Sequence, residues 1–270
     1  MTILPGMNSH RSQRPRTLIE VNMPSGRRRM RAWPSSKPLV VAVFSFRYDA
    51  HLVPDLLANI APLTDGWISW DDRQATAAFS DEPARRRALI EAAHATGAKW
   101  ILAVDPDERF EAGTASNLAA MVRVPGRIAW AFALRELYAA SLYRVDGVWG
   151  HKEQNRLFPI FDDQFPILER QSFPAGLLHE SWVPHSYRSI HSGLNLYHLK
   201  TIAPRRRQAR TALYKALDPE RKYQPIGYDY LSDDGGMALE LIAPGRHYLP
   251  QHREDGGLWM ADPQDIHPAR

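Results

Sequence analysis

The chain of 270 residues contains no cysteine. That absence removes disulfides, thiolate metal sites and cysteine nucleophiles together, and it suits a reducing compartment. Long apolar runs are missing too. None approaches the length of a membrane span, and the N-terminus lacks the apolar segment of a signal peptide. A cytoplasmic location is the expectation. There is no internal repeat. What is present is ordinary for a globular protein: 44% apolar and 24% charged residues, enough chain for one large domain or two small ones.

A sequence pI near 9.4 suggests a nucleic-acid partner until the charge is located. Residues 1–36 carry seven arginines (Arg11, Arg14, Arg16, Arg27, Arg28, Arg29 and Arg31) against Glu20, a net +6. The whole chain is +4, which leaves −2 for residues 37–270. The basic character therefore belongs to a tail rich in Arg, Ser and Pro, expected to be disordered. Its "GRRRMR" offers peripheral contact with acidic lipid headgroups, and no specific nucleic acid is expected.

The body opens on "PLVVAVFSF", where Leu39 to Phe44 reads as a strand buried on both faces. "HLVPDLLANIAPL" follows with Leu52, Leu56, Leu57 and Ile60 at helical spacing, and Pro54 is acceptable in a first turn. "DGWISWDDRQ" is a second strand ending on Asp71 and Asp72. "SDEPARRRALIEAAHATGAK" is a helix capped by Ser80 or Asp81 and stopped by Gly97. "WILAV" is the third strand and runs into Asp105, Asp107 and Glu108. Strand, helix, strand, helix, strand at this spacing predicts a doubly wound parallel α/β sheet. Ligands bind beyond the carboxyl ends of such strands, where Asp71, Asp72, Asp105 and Asp107 all fall.

The second half changes character. "RIAWAFALREL" alternates large and small residues as a strand with two unlike faces, and "SLYRVDGVWG", "NRLFPIF" and "GLNLYHLKT" read as further strands. "PRRRQARTALYKAL" is an amphipathic helix whose basic face is expected to meet solvent. His179, His185 and His191 recur every six residues, matching neither a helix nor a strand face, and no tight zinc motif is present.

Carboxylates gathered at a strand end, without thiols, suit a hard divalent cation such as Mn2+ or Mg2+, whose shell is completed by phosphate oxygens and water. The alternative is that Asp105 and Asp107 merely solvate a loop. The order "VVAVFSF", "WISWDD", "ARRRALIEAA", "WILAVDPDERF" resembles the nucleotide-sugar half of GT-A glycosyltransferases, especially family 2. "NRLF" (155–158), "LHE" (178–180) and "LYHLKT" (196–201) resemble later elements of bacterial members.

The resemblance implies a GT-A, Rossmann-like mixed sheet flanked by helices, behind the basic tail. It divides the chain into the tail (1–36), a nucleotide-sugar-binding half (37–125) and an acceptor-binding half with a C-terminal extension (126–270). It implies a metal-dependent, inverting transfer from a nucleotide-sugar donor to an acceptor that the sequence does not identify, whether glycan, lipid, protein or small molecule. Asp71 or Asp72 would bind the base, Asp105 would lie by ribose and metal, and Asp107 would ligate the metal with His198 as a further ligand. Arg85, Arg86, Arg156 and Lys200 would reach the diphosphate, although Arg86 replaces the family's usual Asn. Arg156 is equally suited to pairing with an acid across the sheet.

Glu180 is the candidate base, since apolar neighbours Leu177 and Leu178 would raise its pKa. Glu108 and Asp163 are the alternatives for that role. Trp149 and Trp182 suit either sugar stacking or core packing.

Two other readings share the motif. A HAD-like phosphohydrolase would use Asp105 as nucleophile and Asp107 as acid/base, but position 109 is Arg where a Thr or Val is usual. A non-catalytic binding protein would keep the fold and dock through its tail.

Overall fold

The structure is a computed structural model that describes residues 19–23, 27–30, 39–73, 82–147, 149–164, 183, 186–222 and 224–252. Eleven strands are joined in one sheet. Its central parallel part is β3 (Val40–Phe46), β4 (Gly66–Asp71) and β5 (Trp100–Ala103), with β3 between the other two. The connections are α1 (Val53–Ile60) and α2 (Glu82–Ala95). Two segments of the basic tail, β1 (Ile19–Met23) and β2 (Arg27–Met30), are also strands. β1 runs parallel to β4, and β2 closes a hairpin on β1. The disorder expected of residues 1–36 gives way there to edge pairing, because the outer side of β4 offers backbone groups that need partners.

Side chains of β3 alternate between two cores. Val40, Ala42 and Phe44 point to the layer that holds Leu56 and Ile60 of α1. Val41 and Val43 point to the opposite layer, against Leu89, Ile90 and Ala93 of α2. This period of two is what a strand covered on both faces requires. Leu52, Leu56 and Ile60 recur every four residues and bury the stripe of α1, as the sequence spacing predicts. Gly97 follows α2 with φ of +79°, the left-handed conformation that ends a helix without a Cβ penalty. The expected caps, Ser80 and Asp81, lie outside the described residues.

Beyond β5 antiparallel pairs join parallel ones, so the whole is mixed. β6 (Glu108–Phe110) and α3 (Thr114–Met121) lead into β7 (Ile128–Ala139), β8 (Leu142–Arg144), β9 (Glu153–Pro159) and β10 (Arg188–His198). β9 pairs with both β5 and β7, and β10 lies between β7 and β6. The amphipathic helix, α4 (Pro204–Leu217), follows β10, and β11 (Leu239–Leu241) pairs with β8 at the edge. The fold is α/β, a Rossmann-like mixed sheet with helices on both faces. No helix among the described residues is long and apolar enough to cross a membrane.

Asn59 on α1 pins the short β6 in place. Its side chain accepts from Phe110 N at 2.7 Å and donates to Phe110 O at 3.0 Å and Leu249 O at 2.7 Å. Phe110 in turn meets Phe132 edge-on, with ring centroids 5.0 Å apart. Because the acids immediately precede Phe110, this anchor fixes where they stand. Asn59→Ala strands a buried N–H and is expected to lower the unfolding free energy by about 1–3 kcal/mol in urea titrations. An unchanged midpoint would show that the anchor contributes nothing.

Candidate functional site

β4 lies on one side of β3 and β5 on the other, so the chain reverses direction across the sheet between β3 and β5. Such a switch point leaves a crevice beyond the carboxyl ends, the usual ligand site of open α/β sheets. The segment after β3 brings Asp49, and the segment after β5 brings Asp105 and Asp107. A hydrogen-bonded turn closes the second segment. Glu108 N donates to Asp105 O at 3.0 Å, and Asp105 N donates to the Glu108 carboxylate at 2.9 Å. Arg109, fully buried, donates to the carbonyls of Pro106, Glu108 and Leu52, and so ties the turn to the start of α1.

Strand register sets the next residues. His198 at the end of β10 stands opposite Glu136 of β7 and Glu108 of β6. Side chains at paired positions share a sheet face, so the imidazole lies among carboxylates. His198 Nδ1 is 2.8 Å from Glu136 Oε2, and Nε2 is 3.3 Å from Asp107 Oδ2. Leu199 N also donates to Asp107 O at 2.7 Å, which locks the two segments together.

Burial alone would favour neutral imidazole, but Glu136 and Asp107 outweigh it and raise the His198 pKa to about 10. Reciprocally, burial opposes the charge on Glu136, yet His198 draws its pKa down to about 2. Asp107 is held well below the usual carboxylate range, against its burial, by His198, Arg210 and Arg206.

Helix α4 supplies those arginines. Arg210 Nη2 lies 2.9 Å from Asp107 Oδ2 and 3.2 Å from Asp49 Oδ2. Arg206 Nη2 lies 3.0 Å from Asp49 Oδ1 and 4.0 Å from Asp107 Oδ2. The basic face of this helix was expected to meet solvent, and the structure corrects that. Arg206 and Arg207 are buried because each finds acceptors below it: Leu199 O and Asp49 for Arg206, Thr201 O and Asp234 for Arg207.

Arg156 on β9 donates to Glu108 Oε1 at 2.5 Å and Asp105 Oδ2 at 2.9 Å. The pairing across the sheet, one of its two expected roles, is therefore made. Burial raises the Glu108 pKa to about 7 despite Arg156. For Asp105 burial acts in the same upward sense, but Arg156 and then Arg86 prevail and lower its pKa.

At the end of β4, Asp72 is buried and pairs with Arg85 at 3.1 Å, while Asp71 is gripped by Arg73 through both oxygens. Arg85 pairs with Asp72, just after β4, and Arg86 acts electrostatically on Asp105, after β5. All four expected aspartates lie along one rim of the sheet. Lys152 and Lys200 complete the neighbourhood, both within electrostatic reach of Glu136. Neither makes an ion pair or a hydrogen bond through its ammonium among the described residues, and each caps an aromatic ring, Trp149 and Tyr214 respectively.

Glu180, with His179, Trp182 and His185, lies outside the described residues. Trp149 is buried against Tyr228, Tyr230 and Leu231, which is core packing. Asp163, an alternative base, pairs with Arg127 on the exterior. Four members of the cluster are absent from the expected set: Asp49, Glu136, Arg206 and Arg210. Asp49 carried a usable signal, three residues past the end of a buried strand.

The side chains present suit a divalent ion poorly. Among the described residues no group of three or more His, Asp or Glu side chains is arranged to hold a metal. The Asp107 oxygen that would ligate already accepts from Arg210, and both ring nitrogens of His198 face carboxylates. A phosphohydrolase would need Asp107 to donate a proton, whereas Arg210 and His198 beside it favour its ionised form.

No family model matches the chain, and no curated protein matches it. Among solved structures, the chain is similar to a glycosyltransferase involved in the glycosylation of the major capsid of PBCV-1. The two share 11% identity at a TM-score of 0.37, over 60% of this chain and 93% of that one.

His198 gains proton affinity on folding, so its contribution to stability is complete below the free imidazole pKa near 6.5 and disappears as pH rises through about 10. Urea unfolding of the wild type should weaken across that window, and His198→Gln should flatten the decline. Parallel slopes for the two proteins would remove His198 from this role.

Proposed function

We propose that the chain is an enzyme that transfers a glycosyl group from a nucleotide-sugar donor to a hydroxyl-bearing acceptor. The observation that carries this reading is the convergence of three strand ends at the switch point on one buried cluster of carboxylates, arginines and an imidazolium. A nucleotide diphosphate fits such a place because its charge needs fixed, desolvated counter-charges. The β4 end, with Asp71 and Asp72, would face the base, where carboxylate lone pairs beyond those given to Arg73 and Arg85 accept a ring N–H. The segment after β5 would face ribose and diphosphate.

In the proposed reaction the acceptor oxygen forms a bond to the anomeric carbon as the bond from that carbon to the phosphate oxygen breaks. The hydroxyl proton passes to a carboxylate, and the nucleoside diphosphate leaves with the bonding electron pair. The cationic side chains of the cluster stabilise the charge that develops on the leaving oxygen. Glu180 remains the proposed base. Three described carboxylates of the cleft are committed elsewhere: Glu136 is held by His198, Asp107 by arginines, and Glu108 is sealed beneath Arg156. Attack on the face opposite the leaving group gives inversion. The acceptor, whether glycan, lipid, protein or small molecule, is a separate question.

A thermal-shift screen of UDP-, GDP-, CMP- and dTDP-sugars tests the reading directly. A donor that binds only the folded state raises the melting temperature. At least one should do so, and no shift with any of them would overturn the proposal. With the donor known, Glu180→Gln should keep the shift and lose transfer by about 100-fold or more, the usual scale of acid–base catalysis. Full turnover by that variant would remove Glu180 as base.

A further inference from the structure

The cluster around Asp107 has more positive than negative side chains. Its carboxylates are Asp49, Asp105, Asp107, Glu108 and Glu136. In direct ion pairs with them stand Arg156, His198, Arg206 and Arg210. Arg86 lies within electrostatic reach of Asp105, and Lys152 and Lys200 lie within reach of Glu136. With every group charged, seven cations oppose five anions. A further dication would add to an existing excess, whereas a diphosphate would be drawn to it.

Hydrogen-bond capacity points the same way. Arg206 Nη1 and Arg156 Nε are buried donors without an acceptor, and their side chains are only 4% and 6% exposed. Buried donors call for acceptors. A metal ion brings none, and phosphate oxygens bring several. The guanidinium fork also suits this ligand, since its planar donors match two phosphate oxygens at once.

We infer that Arg206 and Arg210 of α4 stand where a divalent ion would otherwise balance Asp107, and that the cleft holds a diphosphate through side-chain cations alone. The ligand class rests on the proposed function, but the cation assignment does not. In this arrangement Asp107 does not touch the ligand. It is a positioning residue that orients the arginine pair, with Asp49 sharing the load.

Two measurements on the full chain test this separately. The first titrates Mn2+ and follows the free ion by electron paramagnetic resonance, with and without UDP or GDP. The expected result is no bound Mn2+ attributable to the protein in either case. Stoichiometric Mn2+ binding by the protein would overturn the inference, whether or not any nucleotide binds. The second measures UDP, GDP and dTDP affinity by calorimetry in excess EDTA and in excess Mn2+. Equal affinity in the two conditions is expected for the nucleotide that binds, with about tenfold or greater weakening in Arg210→Gln. Binding that requires Mn2+, or an Arg210→Gln variant that binds as tightly as wild type, would overturn the inference. If none of the three binds in either condition, the diphosphate part is overturned together with the proposed function. The resonance titration still decides the cation assignment, and it needs no variant to fold.

Discussion

A buried carboxylate at the end of β5 organises the crevice. Asp107 is almost sealed from solvent, and an isolated charge there would cost several kcal/mol in lost hydration. The structure answers by bringing three cations to it from two elements: His198 from the end of β10, and Arg206 and Arg210 from α4. Each helper needs support of its own. His198 leans on Glu136, and the arginines lean on Asp49 after β3. One charge thereby fixes the relation of β3, β5, β7, β10 and α4. Removing a single partner from such a network typically costs about 3–5 kcal/mol, because the charge left behind stays buried.

That network joins two halves of unlike construction. The parallel half, β3 to β5 with α1 and α2, presents backbone ends and their acids. The mixed half presents the cations: Arg156 from β9, His198 from β10 and the arginines of α4. Neither half is stable in this form without the other, since a rim of unpaired buried acids would repel itself and a cluster of unpaired arginines would not pack. Joined, they form a preorganised, nearly dry set of charges.

Local patterns made much of this legible. The buried runs of β3 and β5, the stripe of α1 and the stop at Gly97 are short-range features, and each stands where the residue pattern puts it. The placement of Asp71, Asp72, Asp105 and Asp107 on one rim follows from strand order, which repeated strand and helix alternation implies. What could not be read was who meets whom across long separations. Arg206 and Arg210 look like an exposed basic face because the sequence does not say that Asp49 and Asp107, more than 90 residues away, lie beneath them. Glu136 hides for the same reason: its meaning depends on the register that sets β7 beside β10. The tail misled in the other direction, since composition describes its polarity but not the open edge of β4 that part of it completes.

The two aspartates of the acid-x-acid triplet illustrate why a motif underdetermines chemistry. They are two residues apart, yet their side chains live in different surroundings. Asp105 is 37% exposed at the crevice and held by one arginine, whereas Asp107 is 6% exposed and shared among three cations. In this geometry the two acids have different partners, Arg156 for Asp105 and the group of His198, Arg206 and Arg210 for Asp107. It commits Asp107 to holding arginine and leaves Asp105 as the carboxylate of the triplet that a ligand can meet. The triplet thus carries one outer, partly exposed acid and one inner acid enclosed by cations.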